Sequence, residues 1–104
     1  MARRRLFPEP EMPLQGERFE DLFQTDNIRI ERILSAPHSS SGPYDQEQDE
    51  WVLVLQGEAV LEVEGERVTL SAGETLLLPA HTPHSVLDTS NEPPCIWLAV
   101  HIER

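Results

Sequence analysis

The chain has 104 residues, which is enough for one domain with a modest hydrophobic core. Nineteen acidic residues face eight basic ones, and the formal net charge is −11. The electrostatic field of such a negative charge repels phosphate backbones and anionic membrane surfaces, so neither nucleic acid nor a membrane is expected as a partner. All eight basic residues are arginines, and the lack of lysine excludes Schiff-base and P-loop chemistry.

Cys95 is the single cysteine, which excludes an intrachain disulfide and a thiolate zinc site. In a predicted strand it is expected to serve packing rather than catalysis. The opening residues 1–5 are basic, but the apolar stretch of a signal peptide does not follow them. No segment approaches the roughly 20 apolar residues of a membrane span. We therefore expect a cytoplasmic protein.

The first 26 residues are predicted to form an arm and a short helix outside the main domain. Three prolines and a glycine within residues 1–16 favour an extended arm. Phe19, Leu22 and Phe23 are spaced i, i+3, i+4, which predicts a two-turn helix over residues 17–24. Residues 27–104 are then expected to form one barrel.

The pattern from residue 27 onward is almost wholly that of β-strands. Strands are predicted over residues 28–35, 51–55, 59–63, 68–70, 75–79, 84–87 and 95–102, with a loop over residues 36–49. The continuous apolar run 51–55 is expected to be buried on both faces. Many short strands at even spacing predict an all-β sandwich or closed barrel.

Two polar residues begin otherwise apolar strands. Glu50 precedes the run 51–55, and His84 begins a strand beside Val86. A carboxylate in such a place is costly unless it is paired, hydrogen-bonded or bound to a metal. If the two strands are neighbours, both side chains enter the mouth of the barrel at one level, as in a small-molecule pocket.

The second half of the chain resembles the second motif of the cupins, G-x5-P-x-G-x2-H-x3-N. Gly73, Pro79 and His84 match this motif at its spacing. His81 stands in place of the family's second glycine, and Asp88 in place of its asparagine. The turn residues and the predicted strands agree with the resemblance independently.

The first cupin motif, G-x5-H-x-H-x3,4-E-x6-G, is matched in its second half by Glu50 and Gly57. Tyr44 and Gln46 occupy the positions of its two histidines. The wider strings YDQ-x-x-DEWVLVLQGEA and PAHTPH resemble a group of short bacterial cupins. The resemblance implies the cupin double-stranded β-helix, a jelly-roll barrel, here with the short N-terminal helix and arm.

The resemblance also implies a site for one divalent metal, because cupins bind the ion through two histidines, a glutamate and a later histidine. Glu50 and His84 are the family's usual ligands in this chain. Gln46 offers an amide oxygen, and His81 could complete a set of two histidines and one carboxylate. Iron, nickel, manganese and zinc are the candidate ions. Tyr44, like His84, is a candidate catalytic acid or base.

Three functions stay open at this point. The first is a metal-dependent enzyme that acts on a small polar metabolite. The second is a metal-free binding or sensory module in which Tyr44, Gln46, Glu50 and His84 hydrogen-bond a ligand. The third is a metal-free isomerase that uses His84 and Tyr44 as an acid–base pair. A homodimer is predicted, because the core is small and the run 51–55 is apolar throughout.

Two further histidines have no motif. His38 is expected on the surface. His101 shares one face of the last strand with Trp97 and Ala99, and its role is left open.

Overall fold

The fold was analysed in a computed structural model that describes residue 3 and residues 11–104. This part of the chain forms nine β-strands and no helix, so the all-β prediction is confirmed. The strands are β1 (Glu17–Gln24), β2 (Ile28–Ser35), β3 (Ser41–Tyr44), β4 (Asp49–Gln56), β5 (Glu58–Val63), β6 (Glu66–Ser71), β7 (Thr75–Leu78), β8 (His84–Thr89) and β9 (Cys95–Ile102). No helix in the described ranges is long and apolar enough to cross a membrane.

The strands form two antiparallel sheets. The first sheet has the order β1-β2-β9-β4-β7, and the second has the order β3-β8-β5-β6. Neighbours in each sheet are mostly distant in sequence, as in a jelly roll. Strand β4 therefore lies in one sheet and β8 in the other, which means that Glu50 and His84 face each other across the interior. The expectation that the strands of Glu50 and His84 are neighbours in one sheet is therefore wrong.

The core lies between the two sheets and is built by alternation along the strands. Val52 and Val54 of β4 point inward, while Trp51, Leu53 and Leu55 point outward and are only half-buried. The prediction that this run is buried on both faces is thus wrong for the outer face. The buried core consists of Ile33, Val52, Val54, Ala59, Leu61, Leu70, Val86, Cys95, Trp97 and Ala99. Cys95 is a packing residue, and burial raises its pKa to about 12.

The predicted helix over residues 17–24 is wrong, because these residues form the edge strand β1. The strand pairs with β2 along its whole length, and the register shifts between Asp21 and Phe23. This bulge inserts one extra residue, so Phe19 and Phe23 end on opposite faces of the sheet. The irregular spacing of its apolar residues imitates a helical period. The predicted arm lies mostly outside the described residues.

The predicted loop over residues 36–49 contains a strand, which is a second correction. Strand β3 pairs with β8 at only two registered positions, Ser41 with Val86 and Tyr44 with His84. Pro43 cannot donate a backbone hydrogen bond, but at the edge of a sheet this costs little. The composition of this segment indicates a loop, while its position beside β8 makes it an edge strand.

Gly57, the last residue of the first motif, sits where the chain has no room for a side chain. Its φ is +78°, and a Cβ atom would lie 2.5 Å from Ser90 Oγ and 2.9 Å from the Pro93 carbonyl oxygen. Both the backbone conformation and the close approach require glycine. The turn after β4 thereby holds the loop before β9 close to the barrel.

Candidate functional site

A cavity of about 240 Å³ opens between the two sheets. Its apolar lining includes Val52, Leu61 and Trp97. Polar and charged side chains from both sheets also line it, and they are Glu17, Arg29, Glu31, Ser41, Tyr44, Gln46, Glu50, His84 and His101. An apolar lining with a few convergent polar groups is typical of a small-molecule site.

Glu50 and His84 meet inside this cavity, one from each sheet. His84 Nε2 lies 3.5 Å from Glu50 Oε1, and the two side chains are 7% and 10% exposed. His84 is the first residue of β8 and Glu50 the second of β4, so the two sheets bring these side chains to the same end of the barrel. The predicted meeting of these two side chains is present, although it crosses the barrel rather than two adjacent strands.

The second ring nitrogen of His84 fixes how the imidazole is presented. His84 Nδ1 donates a hydrogen bond to the Thr82 carbonyl oxygen at 2.8 Å, which leaves Nε2 facing Glu50. Its bond to the Glu50 carboxylate raises the pKa of His84 above the ordinary 6.5, and the Thr82 carbonyl adds to this, while burial opposes it. Nε2 is consequently the atom through which His84 can exchange a proton with a ligand.

Tyr44 and Gln46 stand beside this pair on the cavity wall. The Tyr44 ring lies 5.4 Å from the His84 ring, centroid to centroid, at an angle of 35°. Gln46 Oε1 is buried and has no hydrogen-bond partner in the described protein. The two residues that replace the motif's histidines are therefore in the cavity with Glu50 and His84.

His81 does not join them. Its side chain is 68% exposed, its Nδ1 lies 3.2 Å from Asp45 Oδ1, and it is not on the cavity wall. Its φ is +60°, a conformation that glycine adopts without strain, which explains why the family motif has glycine here. At that backbone angle the side chain is directed to solvent.

The loop that carries His81 is tied to β4 by Asp49. The Ala80 amide donates to Asp49 Oδ1 at 2.8 Å, and Arg104 Nε donates to the other carboxylate oxygen. The Ala80 hydrogen bond, with Arg104, lowers the pKa of Asp49. The His81 amide also donates to the Gln46 carbonyl oxygen at 2.7 Å. These bonds hold the rim of the cavity beside His84.

The sequence leaves the role of His101 open and does not identify Glu31 and Arg29 as residues of the site. His101 Nε2 donates to Glu31 Oε1 at 2.8 Å, and both side chains are 6% exposed. Arg29 Nη1 donates to Glu31 Oε2 at 2.9 Å. Alternation at the start of β2 suggests Ile28 and Ile30 for the inward face, and only the period-two spacing to the core residue Ile33 places Arg29 and Glu31 there.

Three buried polar atoms of residues that line the cavity have no hydrogen-bond partner in the described protein. They are Gln46 Oε1, Glu50 Oε1 and His101 Nδ1. Buried polar groups are nearly always paired, so these three atoms indicate bound water or a polar ligand in the cavity. Two of the atoms are oxygens that can only accept a hydrogen bond.

The donor set fits a cupin metal only in part. Glu50 and His84 are strong ligands for a transition metal, while the amide of Gln46 and the phenol of Tyr44 are weaker than imidazole. Within residues 3 and 11–104, no three His, Cys, Asp or Glu side chains are grouped so as to hold a metal ion. We therefore derive no chemical step through a metal.

Comparison with protein families gives one match, to the model described as "Cupin domain", over residues 32–101. This range covers the second half of β2 and all of β3 to β8, together with nearly all of β9. It includes both partly matched motifs. No curated protein matches the chain.

Solved structures show the same fold. The putative mannose-6-phosphate isomerase of Ralstonia eutropha JMP134 is 36% identical, with a TM-score of 0.90 and all of both chains covered. KdgF from a Halomonas species is 23% identical, with a TM-score of 0.74 over 86% of this chain and 81% of that one. The Cupin_2 domain of an XRE family transcriptional regulator from Enterobacter cloacae is 24% identical, with a TM-score of 0.73 over 86% and 99%.

Proposed function

The chain belongs to the cupin family, and we propose that its cavity binds one small polar metabolite and moves a proton within it. The observation that carries the proposal is the buried pair of Glu50 and His84 in the cavity between the sheets. A titratable pair with a perturbed pKa in a cleft is typical of acid–base sites. The name of the similar Ralstonia protein, a putative sugar-phosphate isomerase, supports the same reaction class.

The two side chains have complementary tasks in such a reaction. Glu50 Oε1, which lies 3.5 Å from His84 Nε2, can accept a proton from a hydroxyl-bearing carbon beside a carbonyl group. His84, whose raised pKa favours the imidazolium, can donate its Nε2 proton to the carbonyl oxygen. The result is an enediol, and the reverse transfers at the neighbouring carbon complete an isomerisation. Tyr44, beside His84, orients the bound molecule.

Deuterium exchange tests the proposal without knowledge of the product. Aldoses and ketoses are incubated with the protein in D₂O, and the carbon-bound proton next to the carbonyl is followed by NMR. We expect exchange at that carbon with at least one sugar. Binding without exchange, with all of these sugars, would contradict acid–base catalysis.

That second result would favour the alternative, a metal-free binding or sensory module. The three unpartnered acceptors support it equally well, because a ligand can satisfy them without reacting. A cupin domain of similar fold within a transcriptional regulator fits this role. Thermal denaturation in the presence of each sugar separates binding from chemistry, since a ligand of the folded state raises the Tm.

A metal-dependent enzyme is the other alternative, and Gln46 with Glu50 and His84 supports it because all three line one cavity. Elemental analysis of untagged protein, after reconstitution with iron, nickel, manganese and zinc, tests this directly. A stoichiometric ion that is lost when both Glu50 and His84 are changed to alanine would establish it. The acid–base proposal expects exchange to continue after chelation.

We also propose a homodimer, formed through the outer face of the five-stranded sheet. One apolar row crosses all five strands in register, from Phe23 through Ile30, Val100 and Trp51 to Leu77. Phe23 and Leu77 are 57% and 55% exposed in the single chain. A second copy that packs face to face would cover this row, and larger patches of this kind mark interfaces.

Light scattering tests the dimer. The wild type is expected at twice 11.8 kDa, and the variant Leu77→Glu at 11.8 kDa with its far-UV CD spectrum retained. Glu62, an exposed residue of the other sheet, provides the control variant Glu62→Gln. A wild-type monomer at micromolar concentration would contradict the proposal.

A further inference from the structure

His101 is a buried histidine of the cavity that neither cupin motif includes. It extends from β9, and its Cα atom is registered with that of Glu50 on β4. Registered residues of antiparallel strands share a face, so the His101 ring projects to the same side of the sheet as the Glu50 carboxylate. Its position is thus beside the proposed acid–base pair, on the cavity wall.

Glu31 and Arg29 fix the orientation of this ring. His101 Nε2 donates to Glu31 Oε1 at 2.8 Å, and Arg29 Nη1 donates to Glu31 Oε2 at 2.9 Å. A carboxylate bonded to arginine is an acceptor, so it selects the imidazole tautomer with the proton on Nε2. His101 Nδ1 is then a lone pair that can only accept.

His101 Nδ1 is buried, and no hydrogen-bond partner exists for it among residues 3 and 11–104. Leaving an acceptor without a partner in the interior is costly. Gln46 Oε1 is in the same condition, and Glu50 Oε1 has only the long contact of 3.5 Å with His84 Nε2. A bound molecule that satisfies all three must therefore present hydrogen-bond donors.

The charges on the wall oppose an anionic ligand. Three carboxylates, those of Glu17, Glu31 and Glu50, line the cavity. Against them, the described part of the wall carries the guanidinium of Arg29, which is already bonded to Glu31, and the imidazolium of His84, which is already paired with Glu50. A phosphate group would enter without an unengaged arginine and would lie near these carboxylates.

From these observations we propose that His101 is a ligand-binding residue, positioned by Glu31 and Arg29. Its Nδ1 accepts a hydroxyl proton of an uncharged, polyhydroxylated molecule such as a free sugar or polyol. The proposal rests on the proposed function of the cavity and deepens it by naming the ligand class. A sugar phosphate, as in the name of the similar Ralstonia protein, is excluded by it.

Long-range ¹H–¹⁵N NMR of the histidine rings tests the proposal. In the wild type we expect Nε2 protonated and Nδ1 bare in His101, and in Glu31→Gln a mixture of both tautomers. The probes are neutral aldoses and polyols, each paired with its phosphate ester, beginning with D-mannose and mannose 6-phosphate. We expect the Nδ1 resonance of His101 to move with neutral members of the panel and not with the esters.

Two variants separate binding from folding. In His101→Gln the amide nitrogen can still donate to Glu31, while the Nδ1 acceptor is lost, so affinity for the neutral sugar is expected to fall about 5- to 10-fold at unchanged Tm. His38→Asn is the matched control, because His38 pairs with Asp88 on the surface and asparagine tolerates its φ of +56°. This control is expected to bind as the wild type does.

The outcomes distinguish this inference from the proposed function. A protonated Nδ1 in the free wild type, or a response to the esters alone, overturns the inference. Movement of the His84 resonances without those of His101 overturns it as well, while the acid–base site stands. A panel in which neither histidine responds overturns both.

Discussion

The chain has four histidines, and each one lies within 3.5 Å of a carboxylate, yet the four pairs are of two kinds. His38 with Asp88 and His81 with Asp45 are on the surface, whereas His84 with Glu50 and His101 with Glu31 are buried in the cavity. Exposed ion pairs are screened by water and contribute little. Buried pairs act at low dielectric, where charge and tautomer are strongly coupled to the surroundings. Burial, rather than pairing, separates the candidate catalytic residues from the rest.

The largest expected effect is on proton transfer. His84→Gln removes the imidazolium that donates to the carbonyl oxygen, so deuterium exchange is expected to slow by about 10²- to 10⁴-fold. His81→Gln removes a histidine of the exposed class and is expected to leave the rate unchanged. The measurement is the initial rate of deuterium exchange by NMR. An equal loss of rate in both variants would contradict the distinction between buried and exposed histidines.

The next effect is on stability. Glu31→Ala leaves Arg29 and His101 without their shared carboxylate at a buried site, which is expected to cost about 3–5 kcal/mol of unfolding free energy. Asp88→Ala removes the carboxylate of an exposed pair and is expected to cost less than about 0.5 kcal/mol. Urea denaturation of both variants measures the difference. Similar losses would show that burial does not set the strength of these pairs.

The difference between buried and exposed histidine–carboxylate pairs also shows which site residues could be predicted from the sequence. The motif spacing singles out Glu50 and His84, which meet in one cavity, because polar groups at the start of apolar strands need a partner. Spacing alone could not assign His81, since its φ of +60° turns the side chain to solvent, and backbone angles of this kind are not visible in composition. Glu31 and Arg29 appear in the sequence as ordinary charges of an exposed strand face.

The remaining errors have the same origin in tertiary context. The local spacing of residues 17–24 favours a helix, but an isolated two-turn helix is marginal in water, whereas pairing with β2 joins this segment to a sheet along its whole length. The segment Ser41–Tyr44 contains Gly42 and Pro43, which favour a loop until β8 is beside them. Nonlocal pairing decides both cases.

A smaller effect is expected in the dependence of stability on pH. The folded state raises the pKa of His84 above 6.5, so the pair with Glu50 stabilises the fold fully below pH 6.5. This contribution is lost as pH rises through the raised pKa. The stability difference between wild type and His84→Gln should accordingly shrink with rising pH, as urea denaturation from pH 5.5 to 9 would show (roughly one unit below to well above the ordinary value). A constant difference would contradict the coupling.

The smallest effect is expected at the surface. His81→Asn keeps a residue that tolerates positive φ and removes one exposed ion pair, so unfolding free energy should change by less than about 0.5 kcal/mol. Thermal denaturation of the two proteins measures it. A large loss would mean that the rim loop depends on His81 rather than on Asp49.

The most direct measurement is the NMR titration of the His84 ring in the wild type and in Glu50→Gln. Because the Glu50 carboxylate raises the pKa of His84, we expect the His84 titration to have its midpoint above pH 6.5 in the wild type. The midpoint is expected to be lower once the carboxylate is replaced by a neutral amide. A wild-type midpoint at or below 6.5, unchanged by the substitution, would show that the two side chains do not act together. The proposed proton transfer would then have no basis.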